Sequence, residues 1–154
     1  MSSFNTGQVC RNGHVVTGNI ESGFASPFCA ECGKETIVKC LSCDLSIRGT
    51  WTESFGYDWD APAHCNQCGS PFPWTVAKLD AVKELANAIE ELTTDEREVL
   101  AEMMPHLVQE TPRTITAGFK VARILRKLTG PGKAALRKIL EEMAVEAGKI
   151  ALGF

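Results

Sequence analysis

From Lys78 to Leu92 the apolar residues Leu79, Val82, Leu85, Ala86 and Ile89 recur among charged ones at helical spacing, which predicts an amphipathic helix. Thr93 and Thr94 interrupt that pattern, and Thr93 with Glu96 has the form of a capping box opening a second helix. Its apolar positions are Val99, Leu100, Met103 and Leu107, and Pro105 is expected to kink it or start a new turn. A third helix is predicted from about Thr114 to Thr129, with Ile115, Phe119, Ala122, Leu125 and Leu128 on its apolar face and Gly130-Pro131-Gly132 ending it. The fourth runs from Lys133 to about Ile150 and would bury Leu136, Ile139, Leu140, Met143 and Ala147. Four such helices imply a small bundle or two helical hairpins.

Ahead of residue 75 this period is absent. The β-branched runs Val15-Val16-Thr17 and Thr36-Ile37-Val38 are extended in tendency. Composition changes at the same place: all seven cysteines, all three tryptophans, the only tyrosine and eight of the 13 glycines precede it. The 154-residue chain is therefore read as a module at 1–75 followed by a helical region at 76–154. The front half is too small to build a generous apolar core, so something else must hold it.

Metal ligation is the candidate. Eight ligand-type residues fall as four close pairs: Cys10 with His14, Cys29 with Cys32, Cys40 with Cys43, and Cys65 with Cys68. A structural zinc takes four nitrogen or sulfur donors, and two donors a few residues apart can reach one ion. The pairs supply two such sets and use every cysteine in the chain. Gly33 and Gly69 each directly follow a CxxC, where a residue free to adopt positive φ suits the turn around the metal. An odd cysteine count, no secretory signal at the start and the paired spacing favour metal over disulfides. No βαβ pattern surrounds a CxxC, which argues against a thioredoxin-type motif. Four thiolates also hold iron–sulfur clusters, but the Cys-x3-His pair favours zinc. The expected cofactors are two structural Zn2+ ions.

Sequential pairing would join Cys10, His14, Cys29 and Cys32 in site one and Cys40, Cys43, Cys65 and Cys68 in site two, giving a double zinc ribbon. Cross-braced pairing, first with third and second with fourth, remains open on spacing alone, although the seven residues between Cys32 and Cys40 favour the sequential form. Of the other histidines, His64 beside Cys65 reads as exposed or as a hydrogen-bonding neighbour of the site. His106 beside Pro105 reads as a surface or boundary residue.

Trp51, Phe55, Tyr57 and Trp59 lie between Cys43 and Cys65, interspersed with acids. They can form either the miniature core of the ribbon or a recognition surface, and a domain this small needs its aromatics for burial. Charge bears on the partner. Residues 1–75 carry four bases against seven acids, −3, and thiolate ligation of two zinc ions takes the module to about −6. Such a surface repels phosphates. Residues 113–138 instead carry Arg113, Lys120, Arg123, Arg126, Lys127, Lys133, Arg137 and Lys138 with no acid, while 90–110 carry seven acids against Arg97 alone. The basic stretch pairs with its own acidic complement or meets nucleic acid, an anionic membrane surface or an acidic partner.

The segments Cys10-Arg-Asn-Gly-His14, Cys29-Ala-Glu-Cys32-Gly33 and Cys65-Asn-Gln-Cys68-Gly69-Ser-Pro-Phe-Pro-Trp74-Thr75 resemble those of an uncharacterised bacterial double zinc-ribbon family, a domain of unknown function. The resemblance implies that the eight paired residues bind metal and that Trp74 packs between ribbon and helices. It implies no activity.

No Ser-His-Asp set, phosphate-binding glycine loop or HExxH helix occurs, and the half-signature of a zinc deaminase at Cys29-Ala-Glu-Cys32 lacks its His-x-Glu partner. No stretch has the length and apolarity of a membrane span. The expected function is a non-catalytic, cytoplasmic zinc protein acting as a protein-interaction adaptor or scaffold, with self-association through the helices as a further possibility. The alternative is nucleic-acid binding through the basic helices at 113–138.

Overall fold

The structure is a computed structural model and describes residues 3–54 and 58–154. It falls into two compact units, Met1–Ala77 and Lys78–Phe154.

The first unit is a set of short antiparallel ribbons. Strand β1 (Phe4–Thr6) pairs with β5 (Arg48–Trp51), and a three-stranded sheet has the order β3 (Val15–Thr17), β2 (Gln8–Cys10), β4 (Thr36–Ile37). Val9 sits at the centre of that sheet, opposite Val15 on one side and Ile37 on the other. Both predicted β-branched runs are strands, Val38 falling just outside β4. The apolar cluster is small: Val9, Cys40, Ile47, Cys65, Phe72 and Trp74, with Ile37, Trp59 and Ala61 packed against it. Two residues of the expected ligand set, Cys40 and Cys65, belong to this core, so its integrity depends on what holds their sulfurs.

The aromatic loop divides between the two readings. Trp59 packs on the ribbon core and lies against Gly7, where a Cβ would collide with its ring, and near Gly18, where a Cβ would stand 3.3 Å from it. Trp51 is 37% exposed and meets Phe4 edge-on at 5.1 Å between ring centroids. Phe55 and Tyr57 lie outside the described residues. Trp74 is buried within the ribbon's own core, stacked on Phe72 at 4.6 Å with its indole N–H donating to the Pro62 carbonyl at 2.9 Å.

The helices are α1 (Pro73–Ala88), α2 (Thr94–Val108), α3 (Thr114–Lys127), α4 (Gly130–Met143) and α5 (Glu146–Leu152). Helix α1 starts five residues earlier than its apolar period indicates, because Pro73 has the fixed φ that suits a first helical turn. It ends at Ala88, where the half-buried Arg97 side chain donates to the carbonyls of Ala86 and Ile89, both at 3.0 Å. The capping box at Thr93 and Glu96 is formed in both directions. Helix α2 runs on through Pro105 for three more residues rather than restarting there. The lost amide lies in the last turn, where it costs little of the ladder.

Two expectations are corrected. Gly130-Pro131-Gly132 opens α4 instead of merely ending α3, since proline suits the first positions of a helix. The single fourth helix is two: Val145 turns to an extended conformation and donates its amide to the Leu107 carbonyl at 2.8 Å, a tertiary bond in place of a helical one. Five helices therefore follow the ribbons instead of four.

The core of this unit includes Val82, Leu100, Met103, Leu107, Val121, Leu136 and Leu140, and α3 packs most extensively against α5 and α2. The apolar face assigned to α3 is corrected in part: Ala122, Leu125 and Leu128 are buried as expected, but Ile115 and Phe119 are not. Its buried side is Ala117, Gly118, Val121, Ala122, Ile124 and Leu125, while Ile115 and Phe119 are 57% and 60% exposed. Small residues win the interior because α5 approaches closely there, at Gly118 and Ala151.

Candidate metal centre

Three loops of identical plan carry the CxxC pairs. The amide of the first cysteine donates to the carbonyl five residues on: Cys29 to Lys34, Cys40 to Leu45 and Cys65 to Ser70, at 2.8, 2.8 and 2.9 Å. The residue after the second cysteine donates back to the first cysteine's carbonyl, from Gly33, Asp44 and Gly69. That residue is left-handed in all three loops, with φ of 72°, 61° and 74°. Glycine does this freely, and aspartate is among the few other residues that tolerate it. Asp44 thus fills a position where sequence reasoning looked only for glycine.

His64 is explained by the same plan. It pairs with Pro71 across the base of the third loop, as Phe28 does with Glu35 and Lys39 with Ser46. It is a flanking backbone residue and stands outside the ligand cluster. His106 lies in α2, half-buried, with Nδ1 at 2.9 Å from the Thr111 hydroxyl.

The fourth ligand pair is built differently. Cys10 ends β2, Gly13 turns the chain at φ 96°, and His14 immediately precedes β3. The amide of His14 donates to Cys10 Sγ at 3.3 Å.

The loops bring the pairs together sequentially. Cys10, His14, Cys29 and Cys32 form one tetrad and Cys40, Cys43, Cys65 and Cys68 the other, with the ligand atoms of each within 4.8 Å of one another. The spacings are informative. Cys10–Cys32, Cys40–Cys68 and Cys43–Cys65 sulfurs are 3.7, 3.7 and 3.6 Å apart. His14 Nδ1 is 3.4 Å from Cys10 Sγ and 3.5 Å from Cys29 Sγ. A tetrahedral ion about 2.3 Å from sulfur and about 2.0 Å from nitrogen requires S–S edges of about 3.8 Å and S–N edges of about 3.5 Å. Both tetrads could hold such an ion. Their sulfurs are far too widely spaced for disulfides, whose S–S length is about 2.05 Å.

In each CxxC pair the first cysteine is buried and the second exposed, so an ion would sit between core and surface. Amides point at the sulfurs: Ser42 to Cys40 at 3.4 Å and Gln67 to Cys65 at 3.5 Å, with the Asn12 side chain reaching Cys32 at 3.5 Å. The far side of the imidazole is also engaged, since His14 Nε2 lies 3.5 Å from Glu31 Oε2. A carboxylate there orients the ring and selects the tautomer that leaves Nδ1 free to ligate. Neither Glu31 nor Asn12 was legible in the ligand spacing.

Clustering sets the thiols against each other. Hydrogen bonds from the Ser70 hydroxyl and amide pull Cys68 down to about 6. Cys43 is pushed up to about 12: the Leu45 amide lowers it, but lost solvation and the neighbouring thiols outweigh that pull. In the first tetrad burial raises Cys10 against the amides of His14 and Asn12, while the backbone at Lys34 lowers Cys32. Four sulfurs at such distances cannot all ionise unless a cation compensates them, which is what a divalent metal supplies.

Two four-donor tetrads on short antiparallel loops, followed by helices, define a zinc-ribbon type of architecture joined to a helical region. The chain belongs to the family of uncharacterized proteins conserved in bacteria designated DUF2321, whose sequence profile matches residues 3–152. Comparison with curated proteins returns no match, and neither does comparison with solved structures. Among the described residues no helix is long and apolar enough to cross a membrane.

Proposed function

We propose that this chain is a non-catalytic zinc protein, its ribbon unit held by two structural zinc ions and acting as a rigid protein-interaction module, with the helices as a second docking surface. The observation that carries the reading is the closure of both tetrads: each offers four protein donors at tetrahedral spacing, so no position is left for water or substrate. Zinc is favoured over a multi-iron cluster because such a cluster binds its thiolates to separate irons and spreads them wider than these sulfurs stand. The mixed Cys3His set points the same way. The acidic balance of residues 1–75 supports a protein rather than a phosphate backbone as the ribbon's partner. The reading belongs to the cytoplasm, where thiols stay reduced.

Elemental analysis of the purified, untagged protein, with absorption spectroscopy at the metal edge, tests the first half. Two equivalents of zinc with only nitrogen and sulfur neighbours are expected. Fewer than two equivalents in a folded protein refute it, and an oxygen neighbour indicates an open, enzyme-like site. Affinity capture from the native cytosol, compared between the intact protein and a Cys65→Ser, Cys68→Ser variant, tests the second half. Partners lost with the second metal site belong to the ribbons.

Nucleic-acid binding by the basic helices is the second reading. Lys120, Arg123, Arg126, Lys133 and Lys138 make no ion pair among the described residues, whereas Arg113, Lys127 and Arg137 pair with Glu102, Glu96 and Glu141. Affinity for DNA or RNA that falls steeply with salt supports it, and no binding at low salt eliminates it.

A further inference from the structure

The helical unit leaves one face unused by its own packing. Phe119 on α3 and Ile150 on α5 are 60% and 75% exposed, and both line a groove of about 440 Å³. The groove is lined as well by the buried Leu125 and Ala151. Ile115, 57% exposed, stands one turn before Phe119 on the same face of α3 and extends the apolar strip. Large apolar side chains kept this open along one strip mark an interaction site more often than a free surface.

Charge is arranged along the same line. Arg126, Lys133 and Arg137 line the groove, and no acid does. Arg137 is occupied by Glu141 at 2.8 Å and by the Phe154 ring at 4.6 Å. Arg126 reaches only the Ala122 carbonyl of its own helix, at 3.4 Å, and Lys133 makes no ion pair among the described residues. Ile115, Phe119, Ala122 and Arg126 follow one another at helical i, i+4, i+7 and i+11 spacing. Hence α3 presents apolar groups at its start and, at its end, a cation with no ion pair among the described residues, over about 16 Å or three turns.

We propose that this groove docks an acidic amphipathic helix of a partner protein, whose apolar ridge lies against Phe119 and Ile150 and whose carboxylates meet Arg126 and Lys133. The inference rests on reading the helical unit as a docking surface and names the chemistry of its partner. A strip of this length along α3 suits a helix anchored at i, i+4 and i+7. A second copy joined by a two-fold axis would bring Arg126 and Lys133 towards their own counterparts, with like charges opposed. A nucleic-acid backbone would place phosphates over Ile115 and Ile150, which offer them nothing. A bilayer is flat, whereas Phe119 and Ile150 line a concavity.

The test is a selection of displayed helix-forming peptides on the metal-replete full chain, followed by fluorescence-anisotropy titration of the enriched sequences. Enriched peptides should carry large apolar residues at i, i+4 and i+7 and cluster Asp and Glu at one end. Phe119→Asp or Ile150→Asp should weaken them tenfold or more. Arg126→Glu with Lys133→Glu should reverse the preference towards isomers with Lys in place of the acids. Phe119, Arg126 and Ile150 are exposed and Lys133 is half-buried, and an unchanged thermal melt verifies that the variants fold. Enrichment without acidic bias, no sequence that distinguishes the chain from Phe119→Asp, or Phe119-dependent binding to phosphatidylglycerol vesicles alone would overturn the proposal. Failure here with two zinc ions still bound leaves the ribbon reading standing, whereas successful selection on purified protein whose ribbons stay folded without zinc refutes that reading and not this one.

Discussion

Gly13 lies directly against Trp74: a Cβ on Gly13 would stand 2.8 Å from the tryptophan Cβ, and the glycine holds φ at +96°. The turn that sets Cys10 and His14 in the first tetrad is thereby tied to the aromatic core that also contains Cys40 and Cys65 of the second. Gly13→Ala meets both a left-handed backbone and a packed side chain. A loss of about 2–4 kcal/mol in ribbon stability is expected, together with faster zinc transfer to a chromophoric chelator. An unchanged melt and transfer rate would show that the contact is slack.

Glu31 should matter to the metal although it does not touch it. Glu31→Gln removes the carboxylate from His14 Nε2 and is expected to weaken the first site by up to about tenfold, the low end for such partners because Glu31 is exposed. Competition with a chelator of known affinity measures this, and the second site in the same molecule is the internal control.

Metal removal should separate the two units. If two zinc ions hold the ribbons as proposed, each supplying roughly 10–16 kcal/mol as in zinc-finger peptides, strong chelation at neutral pH is expected to unfold them. The helical unit has an apolar core of its own, so its far-ultraviolet helical signal should persist. Nuclear magnetic resonance of the chelated protein would reveal the mixed state, and a coincident loss of all structure would contradict it.

The start of α2 gives a pH dependence. Glu96 is held below its ordinary value of 4.5, first by the hydrogen bond from Lys127 and then by the Thr93 amide. The folded state therefore binds fewer protons at this group than the unfolded state. Its stabilisation is complete above pH 4.5 and is lost as pH falls through the lower, folded-state value. Glu96→Gln should accordingly destabilise the helical unit at pH 7 and have a shrinking effect below pH 4. Thr93→Ala, which removes the other half of the capping box, should cost about 1 kcal/mol at either pH.

Helix α3 offers a paired comparison. Gly118→Ala gains about 1 kcal/mol of helix propensity, but the new methyl meets the Ala151 methyl and stands 3.2 Å from the Gly148 carbonyl. Overpacking of about 1–3 kcal/mol should prevail, leaving a net loss. Phe119→Ser one position on, at an exposed site, should shift stability by no more than about 0.5 kcal/mol. Thermal melts of the two variants rank them, and the reverse order would mean that α5 moves away to admit the methyl.

The comparison of α3 with the ligand pairs shows why some features could be read in advance. A CxxC brings two sulfurs close through three peptide units, so Cys29 with Cys32, Cys40 with Cys43 and Cys65 with Cys68 are consequences of local geometry. The capping box at Thr93 and Glu96 is equally local. The face of α3 is not. Its heptad-like strip through Ile115 and Phe119 is as hydrophobic as the strip through Val121 and Leu125, and periodicity cannot say which one meets α5.

The close cysteine pairs, the ribbon-then-helix order and most helix positions follow from interactions spanning a few residues, which the chain carries wherever it goes. The choice of which pairs share an ion, the carboxylate of Glu31 behind His14, the break at Val145 and the outward turn of Ile115 and Phe119 depend on groups that meet only after folding. Their cause is contact between segments 15 to 40 residues apart: the Leu107 carbonyl draws the Val145 amide out of its helix, and the close approach of Ala151 to Gly118 excludes a larger side chain from that interface.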